Sequence, residues 1–145
     1  MIESLMLYFG NFGTGLLEFV NYLITAVVML LLFMSCYSKA TPHCEWKLMR
    51  EGNVAATLAF TGAGVGFTIP LFNAMANSVS YLDFVMWSIV AAVVQIAAFY
   101  GVKAALKVKK QDLSDRIKQD HVAYGLFSGG VAIMVGLLNA GATVW

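Results

Sequence analysis

Charged residues are scarce in this sequence: they make up 12% of its 145 residues, whereas hydrophobic residues make up 60%. A water-soluble domain needs more polar surface than this, since about 25% of an average soluble chain is charged. The shortage of charge excludes the usual soluble enzymes and nucleic-acid-binding domains. It predicts a protein embedded in a lipid bilayer, with no nucleic-acid partner.

Basic residues are missing from three segments: the N-terminal 38 residues, residues 73–83 and the residues after Lys118. All nine lysines and arginines fall within two stretches, residues 39–50 and 103–118. Loops rich in lysine and arginine remain on the cytoplasmic side of a membrane. The distribution therefore predicts two cytoplasmic loops, with both termini and residues 73–83 on the outer side.

The sequence has only two cysteines, Cys36 and Cys44, and both fall on the predicted cytoplasmic side. That compartment is reducing, so we expect free thiols and no disulfide. The neighbouring His43 does not complete a zinc site, because structural zinc needs four ligands at recognised spacings. Nor does any nucleophile lie beside a base at one membrane depth, so we expect no enzyme activity, no metal and no cofactor.

Four apolar stretches cover residues 19–37, 54–72, 84–102 and 122–144. About 20 residues, at 1.5 Å rise each, cross a hydrocarbon core of about 30 Å. The four stretches occupy most of the chain and predict an all-α membrane protein, a single membrane domain over residues 1–145. We expect residues 1–17 to be retained and to lie near the outer interface.

Two segments resemble each other: "EGNVAATLAFTGAG", which starts at Glu51, and "QDHVAYGLFSGGVA", which starts at Gln119. Each follows a charged loop and an earlier apolar stretch. The pattern predicts a duplicated helical hairpin, with repeat one at about residues 18–74 and repeat two at about residues 82–142. The two copies would insert in the same direction, as parallel two-helix repeats. Chance likeness between two helices rich in alanine and glycine is the alternative.

Small residues recur four apart in the second and fourth stretches, whereas the first stretch is bulky on all sides. Small residues let helix backbones approach closely, so the second and fourth spans should form the centre and the first should face lipid. Pro70 removes one backbone hydrogen bond in the second span. We expect it to free the Gly66 carbonyl and to bend the helix.

Each charged loop is predicted to contain a short interfacial helix. In the first loop Thr41 can cap a helix that has Pro42 at its first position, and in the second loop Asp112 or Ser114 can serve as the cap. Asn53 and His121 then occupy equivalent positions at the start of the spans that follow. They are predicted either to cap these helices or to form polar collars at the mouth of a pathway.

Polar side chains at membrane depth are the next candidates for function. Gln95 lies near the middle of the third span, Thr61 near the middle of the second and Ser128 in the inner half of the fourth. None of the three is ionisable, which argues against a self-contained coupled transporter. Gln95 can join two helices by a hydrogen bond or can line a pathway.

Residues 37–71, "YSKATPHCEWKLMREGNVAATLAFTGAGVGFTIPL", and the later run "HVAYGLFSGGVAIMVGLLNA" resemble the YjfL-type bacterial inner-membrane proteins, called domain of unknown function 350. The likeness covers nearly the whole chain after the first dozen residues. It implies a bacterial inner-membrane protein with no established activity. The outer side that the basic residues predict for both termini is then the periplasm. It places family-motif residues at Thr41, Pro42, His43, Glu45, Asn53, Ala55, Ala56 and Asn139. Cys44 departs from the motif, which has a polar residue such as asparagine there.

Two functions from different classes follow as hypotheses. In the first, several copies assemble into a homo-oligomeric channel or transport assembly. Gln95, Thr61 and Ser128 would line its path, and Asn53 and His121 would lie at its inner mouth. In the second, the protein is a membrane scaffold whose basic loops recruit a cytoplasmic partner. The resemblance implies candidates for that partner, because the family is loosely associated with envelope-stress proteins of the phage-shock kind and with polyamine-related enzymes.

Overall fold

The computed structural model describes residues 2–41, 45–106 and 113–143, with side chains from residue 11 onward. Every element in these ranges is a helix: α1 Ile2–Ala40, α2 Glu45–Arg50, α3 Val54–Asn77, α4 Tyr81–Ala105, α5 Leu113–Lys118 and α6 Val122–Ala142. Four of them, α1, α3, α4 and α6, are long and apolar enough to cross a membrane. The predicted all-α membrane fold with four spans and short additional helices is confirmed.

Helices α3 and α6 form the closest pair of the bundle and run in the same direction. Gly125 lies against Ala55 where both helices begin, and Gly129 lies against Gly62 about one turn further along α6. Near the other end, the Asn73 amide donates a hydrogen bond to the Ala140 carbonyl at 3.0 Å. The prediction that the two helices rich in small residues pack together is therefore confirmed.

We name the two ends of the bundle by their loops. The basic end carries α2 and α5 with their lysines and arginines, and the far end carries the start of α4 and the end of α6. Pro70 lies inside α3, which continues beyond it to Asn77. A β-carbon at Gly136 would come within 2.0 Å of the Gly66 carbonyl oxygen, so the carbonyl that Pro70 leaves without an intrahelical donor faces α6.

Helices α1 and α4 pack on the α3–α6 pair largely through aromatic rings. Phe33 of α1 stacks on Phe67 of α3 with ring centroids 4.4 Å apart. Tyr37 of α1 meets Phe99 of α4 edge to face at 5.1 Å. Only 6% of the apolar window of α1 is buried within the chain, compared with 56% for α3. The rest of the chain therefore leaves most of α1 uncovered, and the contact of this helix with lipid stays a prediction.

Helix α1 begins much earlier than the sequence pattern predicted. The predicted span covers residues 19–37, but the helix starts at Ile2 and runs for 39 residues. Glycines at positions 10, 13 and 15 are typical of loops, yet no proline interrupts the segment. At 1.5 Å per residue α1 is about 58 Å long, nearly twice the thickness of a hydrocarbon core.

Each short helix leads into the following long helix through the same turn. Gly52 and Asp120 both have positive φ, 83° and 57°. The next residue donates its amide hydrogen back into the short helix, from Asn53 to the Leu48 carbonyl and from His121 to the Arg116 carbonyl. This pattern is a Schellman motif. Moreover, α5 begins 68 residues after α2, and α6 begins 68 residues after α3. The duplication of the hairpin itself stays a prediction.

The predicted caps of the short helices are only partly supported. Ser114 does not cap α5: it lies inside the helix, buried beside Leu113, because this face of α5 packs on the bundle. Asp112 and Pro42 lie outside the described residues. In the described chain α2 begins at Glu45, and the Thr41 hydroxyl bonds to a side chain of that helix.

Candidate functional site

A carboxyl group is buried at the basic end of the bundle. Glu45 is the first described residue of α2, and only 1% of it is exposed. The Thr41 hydroxyl donates a hydrogen bond of 2.5 Å to its Oε1 atom. Burial raises the pKa of the Glu45 carboxyl, and the hydrogen bond from Thr41 opposes this effect. A buried carboxyl group with a raised pKa is a candidate functional group.

The position of Glu45 follows from the way α2 docks. Trp46 meets the Phe60 ring of α3 at 5.3 Å, edge to face. This contact holds α2 against the start of α3, and Leu48 and Met49 are half-buried behind it. The Glu45 side of the first turn of α2 therefore faces the bundle, whereas Trp46 is 58% exposed.

Tyr37 connects the neighbourhood of Glu45 with a small cavity. Its ring is buried against Phe60 of α3 and Phe99 of α4. It lies one helical turn before Thr41, the hydrogen-bond partner of Glu45. Tyr37 and Ser128 line the cavity together with Gln95. The cavity volume of about 10 Å³ is roughly what one water molecule needs.

Gln95 joins two helices and also faces the cavity. Only 2% of the residue is exposed, and its amide nitrogen donates a 2.7 Å hydrogen bond to the Ala132 carbonyl of α6. Gly66 permits this contact, because a β-carbon there would come within 2.4 Å of that nitrogen. The Oε1 atom is buried and has no partner among the described residues. Gln95 thus connects helices, as predicted, and keeps one acceptor for a polar ligand such as water.

A second polar cavity lies at the far end. Its polar lining comes from α3, α4 and the end of α6, and its volume is also about 10 Å³. Asn73 donates to the Thr143 hydroxyl at 2.8 Å, and Asp83 accepts from the Val79 amide at 3.1 Å. Asn139 lies one turn before Thr143, and its buried amide nitrogen has no partner within the described chain. The far cavity therefore has the carboxyl group of Asp83 in its lining, whereas Glu45 does not line the cavity near the basic end.

An apolar layer separates the two cavities. It consists of buried Phe67 and Leu71 of α3 and Ala91 of α4. Ser88 also lies in this layer, but its hydroxyl donates to the Phe84 carbonyl of its own helix at 2.7 Å. The interior of the chain thus contains two cavities, each the size of about one water molecule and with some polar groups in its lining, and an apolar layer between them. Polar sites separated by a hydrophobic constriction occur in gated conduction paths.

The remaining sequence-predicted residues have unlike environments. Asn53 is buried and caps α3, with its Oδ1 atom accepting from the Ala56 amide at 2.6 Å. His121 is exposed at the equivalent position of α6 and makes no side-chain cap bond. Neither residue lines the cavities described above. Thr61 faces outwards and bonds to the Thr57 carbonyl. Pro42 and His43 lie outside the described residues.

Sequence reasoning treated Glu45 as part of an interfacial loop and did not single out Tyr37. Both residues lie near the boundary between the first apolar stretch and the first charged loop. Hydropathy cannot distinguish a buried side chain from an exposed one at such a boundary. The available signal was the resemblance, which marks Thr41 and Glu45 four residues apart. A separation of four residues lets the two side chains meet, and they do so in the hydrogen bond between Thr41 and Glu45.

Comparison with known proteins identifies the sequence class. Residues 11–143 match the family model described as Domain of Unknown Function (DUF350). The chain is 39% identical over 131 residues to the UPF0719 inner membrane protein YjfL of Escherichia coli strain K12, covering 90% of this chain and 96% of that protein. It is 25% identical over 122 residues to the UPF0719 transmembrane protein YshE of Bacillus subtilis, covering 84% and 88% respectively. No solved structure matches the chain.

Proposed function

The chain belongs to the family described as domain of unknown function 350, and we propose that it conducts protons or small cations across the bacterial inner membrane. The buried Glu45 carboxyl carries this proposal, because it lies at the basic end of a series of polar groups that reaches the middle of the bundle. The inner-membrane location rests on the name of the Escherichia coli relative. The proposed role requires no covalent chemistry, so the protein is proposed not to be an enzyme.

The proposed path lies inside each subunit rather than between copies. Gln95 and Ser128 are 2% and 5% exposed and face the interior of the bundle, so a lumen between copies would not be lined by them. The homo-oligomer stays part of the proposal, and subunit stoichiometry in native membrane discs measures it. The path itself does not depend on the number of copies.

The first prediction tests conduction with a substitution at Glu45. Wild-type protein in vesicles loaded with a pH-sensitive dye should carry protons faster than empty vesicles under an imposed potential. Glu45→Gln keeps the shape of the side chain and removes its charge. We therefore expect the flux to fall at least about a hundredfold, the lower end of what a positioned proton-transfer group contributes.

Glu51→Gln provides the matched control for this substitution. Glu51 lies next to the same short helix, is exposed and pairs with Lys47 at 3.9 Å, so the flux should stay within about twofold of wild type. An independent readout comes from unfolding. Burial raises the pKa of the Glu45 carboxyl, so wild type should gain stability as the pH falls through that raised pKa, and Glu45→Gln should lack the gain.

Two results would count against conduction. Equal flux through wild type and Glu45→Gln would remove the carboxyl group from the path. If wild-type vesicles carried neither protons, sodium nor potassium faster than empty vesicles, the scaffold hypothesis, with a cytoplasmic partner bound to the basic loops, would become the better one.

The second prediction concerns orientation, which we propose to be basic end inwards because all nine basic residues fall within residues 39–50 and 103–118, the stretches that include the short helices of that end. The Cys36→Ser variant keeps Cys44 as its one cysteine. In this variant a membrane-impermeant maleimide should label Cys44 only after spheroplasts are lysed. Val79→Cys, in a protein lacking both native cysteines, should be labelled in intact spheroplasts, because Val79 lies in the far-end loop and is 91% exposed. The reverse labelling pattern would invert the proposed topology.

A further inference from the structure

An apolar groove runs between α1 and α4 on the outside of the bundle. Met29, Leu32 and Cys36 line it on α1, and Ile89, Val93 and Ile96 line it on α4, around a volume of about 260 Å³. These residues recur at intervals of three and four, so each helix presents one continuous face to the groove. The groove is separate from the polar cavities of the interior.

The groove occupies only one half of the bundle. In the far half α1 and α4 are in contact: the Thr25 and Tyr81 hydroxyls are 2.8 Å apart, and the Tyr22 ring lies 5.4 Å from Phe84. From Met29 to Cys36 the groove is about 10 Å long at 1.5 Å per residue, and Lys39 lies about 15 Å from Met29 along α1, half of a hydrocarbon core of about 30 Å. The open length therefore matches a single leaflet.

Basic and aromatic side chains mark the headgroup end of this groove. Lys39 follows Cys36 by three residues near the end of α1, and Lys103 follows Ile96 by seven residues near the end of α4. The Tyr37–Phe99 contact places these two helix ends at the same level. Tyr100 lies on the groove side of α4 between Ile96 and Lys103 and is half exposed, as is typical of interfacial tyrosines.

We propose that this groove is a binding site for an anionic phospholipid of the leaflet at the basic end, with one acyl chain between α1 and α4 and the phosphate at Lys39 and Lys103. The charge of the two lysines selects an anionic headgroup over a zwitterionic one. The half-length of the groove selects a lipid over a transmembrane helix of a partner, because a spanning helix needs an open face along the full core. The site does not depend on the proposed conduction.

The third prediction tests the charge of the site. Delipidated protein in nonionic detergent is titrated with phosphatidylglycerol or phosphatidylcholine of the same acyl chains, and native mass spectrometry counts the bound lipids. Wild type should bind phosphatidylglycerol more tightly. The double variant Lys39→Gln, Lys103→Gln should lose about 30-fold in affinity, because each basic group near an anionic surface contributes about 1 kcal/mol.

Two controls locate the effect in the groove. The double variant Lys47→Gln, Arg50→Gln removes the same charge from exposed positions of α2 at the same end, and should change the affinity less than threefold. Val93→Phe fills the groove without changing charge and should weaken binding of both lipids, whereas Val90→Phe on another face of α4 should not. Equal loss in both charge variants, equal affinity of wild type for the two lipids, or unchanged binding by Val93→Phe would each overturn the proposal.

Discussion

Replacing Gly129 by alanine should destabilise the protein by about 3 kcal/mol, at the upper end of what overpacking of a tight core costs. A β-carbon at Gly129 would come within 2.5 Å of the Leu58 carbonyl oxygen of α3. That neighbour is backbone and cannot rotate away, so the two helices would have to separate. Their close contact runs along most of α6, and every packing contact nearby would weaken with it.

The next residue, Gly130, gives the matched control for this prediction. A β-carbon there meets nothing within 4 Å, although it lies on the same helix, one position further. Gly130→Ala should therefore be neutral or should stabilise α6 by up to about 1 kcal/mol through helix propensity. Both variants are unfolded in mixed micelles by an increasing fraction of a denaturing detergent, which measures the difference in their free energy of unfolding. Equal stability of Gly129→Ala and Gly130→Ala would show that α3 and α6 do not touch at this point.

The close approach of α3 and α6 was predictable because it depends on composition at regular spacing. Small residues at intervals of four can bring two backbones together wherever they occur in a lipid-embedded helix. The identity of the contacting atoms was not predictable. Gly62 and Gly130 align in the two predicted repeats, yet Gly62 meets Gly129 and the β-carbon position of Gly130 is open. The crossing of the two helices, and not the repeat, decides which glycine is essential.

The burial of Glu45 could not be predicted from hydropathy. Glutamate in a charged loop is normally exposed, and the local sequence has Lys39 before Glu45 and Lys47 and Arg50 after it. Its position depends on the docking of α2 on Phe60, a contact between residues from different elements. The length of α1 was missed for a related reason. Helix continuation over residues 2–18 competes with the glycines there, and propensity alone is a weak guide.

The connection between the two halves at the basic end was also beyond sequence reasoning. Asp120 accepts a hydrogen bond from the Ala55 amide at 2.8 Å, so a residue of the second loop caps the first turn of α3. In return, the Asn53 amide donates to the carbonyls of Ile117 and Lys118, at 2.9 and 3.2 Å. Sequence analysis treats a cap as a local feature, whereas these bonds join residues 64 and 65 positions apart.

Replacing Asn53 by alanine should therefore cost about 2–4 kcal/mol, more than the loss of an ordinary helix cap. An N-cap contributes about 0.5–2 kcal/mol, and each hydrogen bond to a carbonyl contributes about 0.5–1.5 kcal/mol when its partner is buried. Asn53 makes one bond of the first kind, to the Ala56 amide, and two of the second. Thermal unfolding of the purified protein measures the loss.

His121→Ala is the matched control for Asn53, because His121 occupies the equivalent position of α6, is exposed and makes no side-chain cap bond. It should change stability by less than about 0.5 kcal/mol, as surface substitutions do. Asn53→Ser separates the contribution of the cap from that of the bonds to α5. Serine can still accept from the Ala56 amide but cannot reach the carbonyls of α5. The stability lost by Asn53→Ser should therefore fall between the losses of Asn53→Ala and His121→Ala. If Asn53→Ser were as stable as wild type, the bonds to α5 would contribute nothing. If His121→Ala cost as much as Asn53→Ala, the stability of the basic end would not depend on the asymmetric bonds of Asn53.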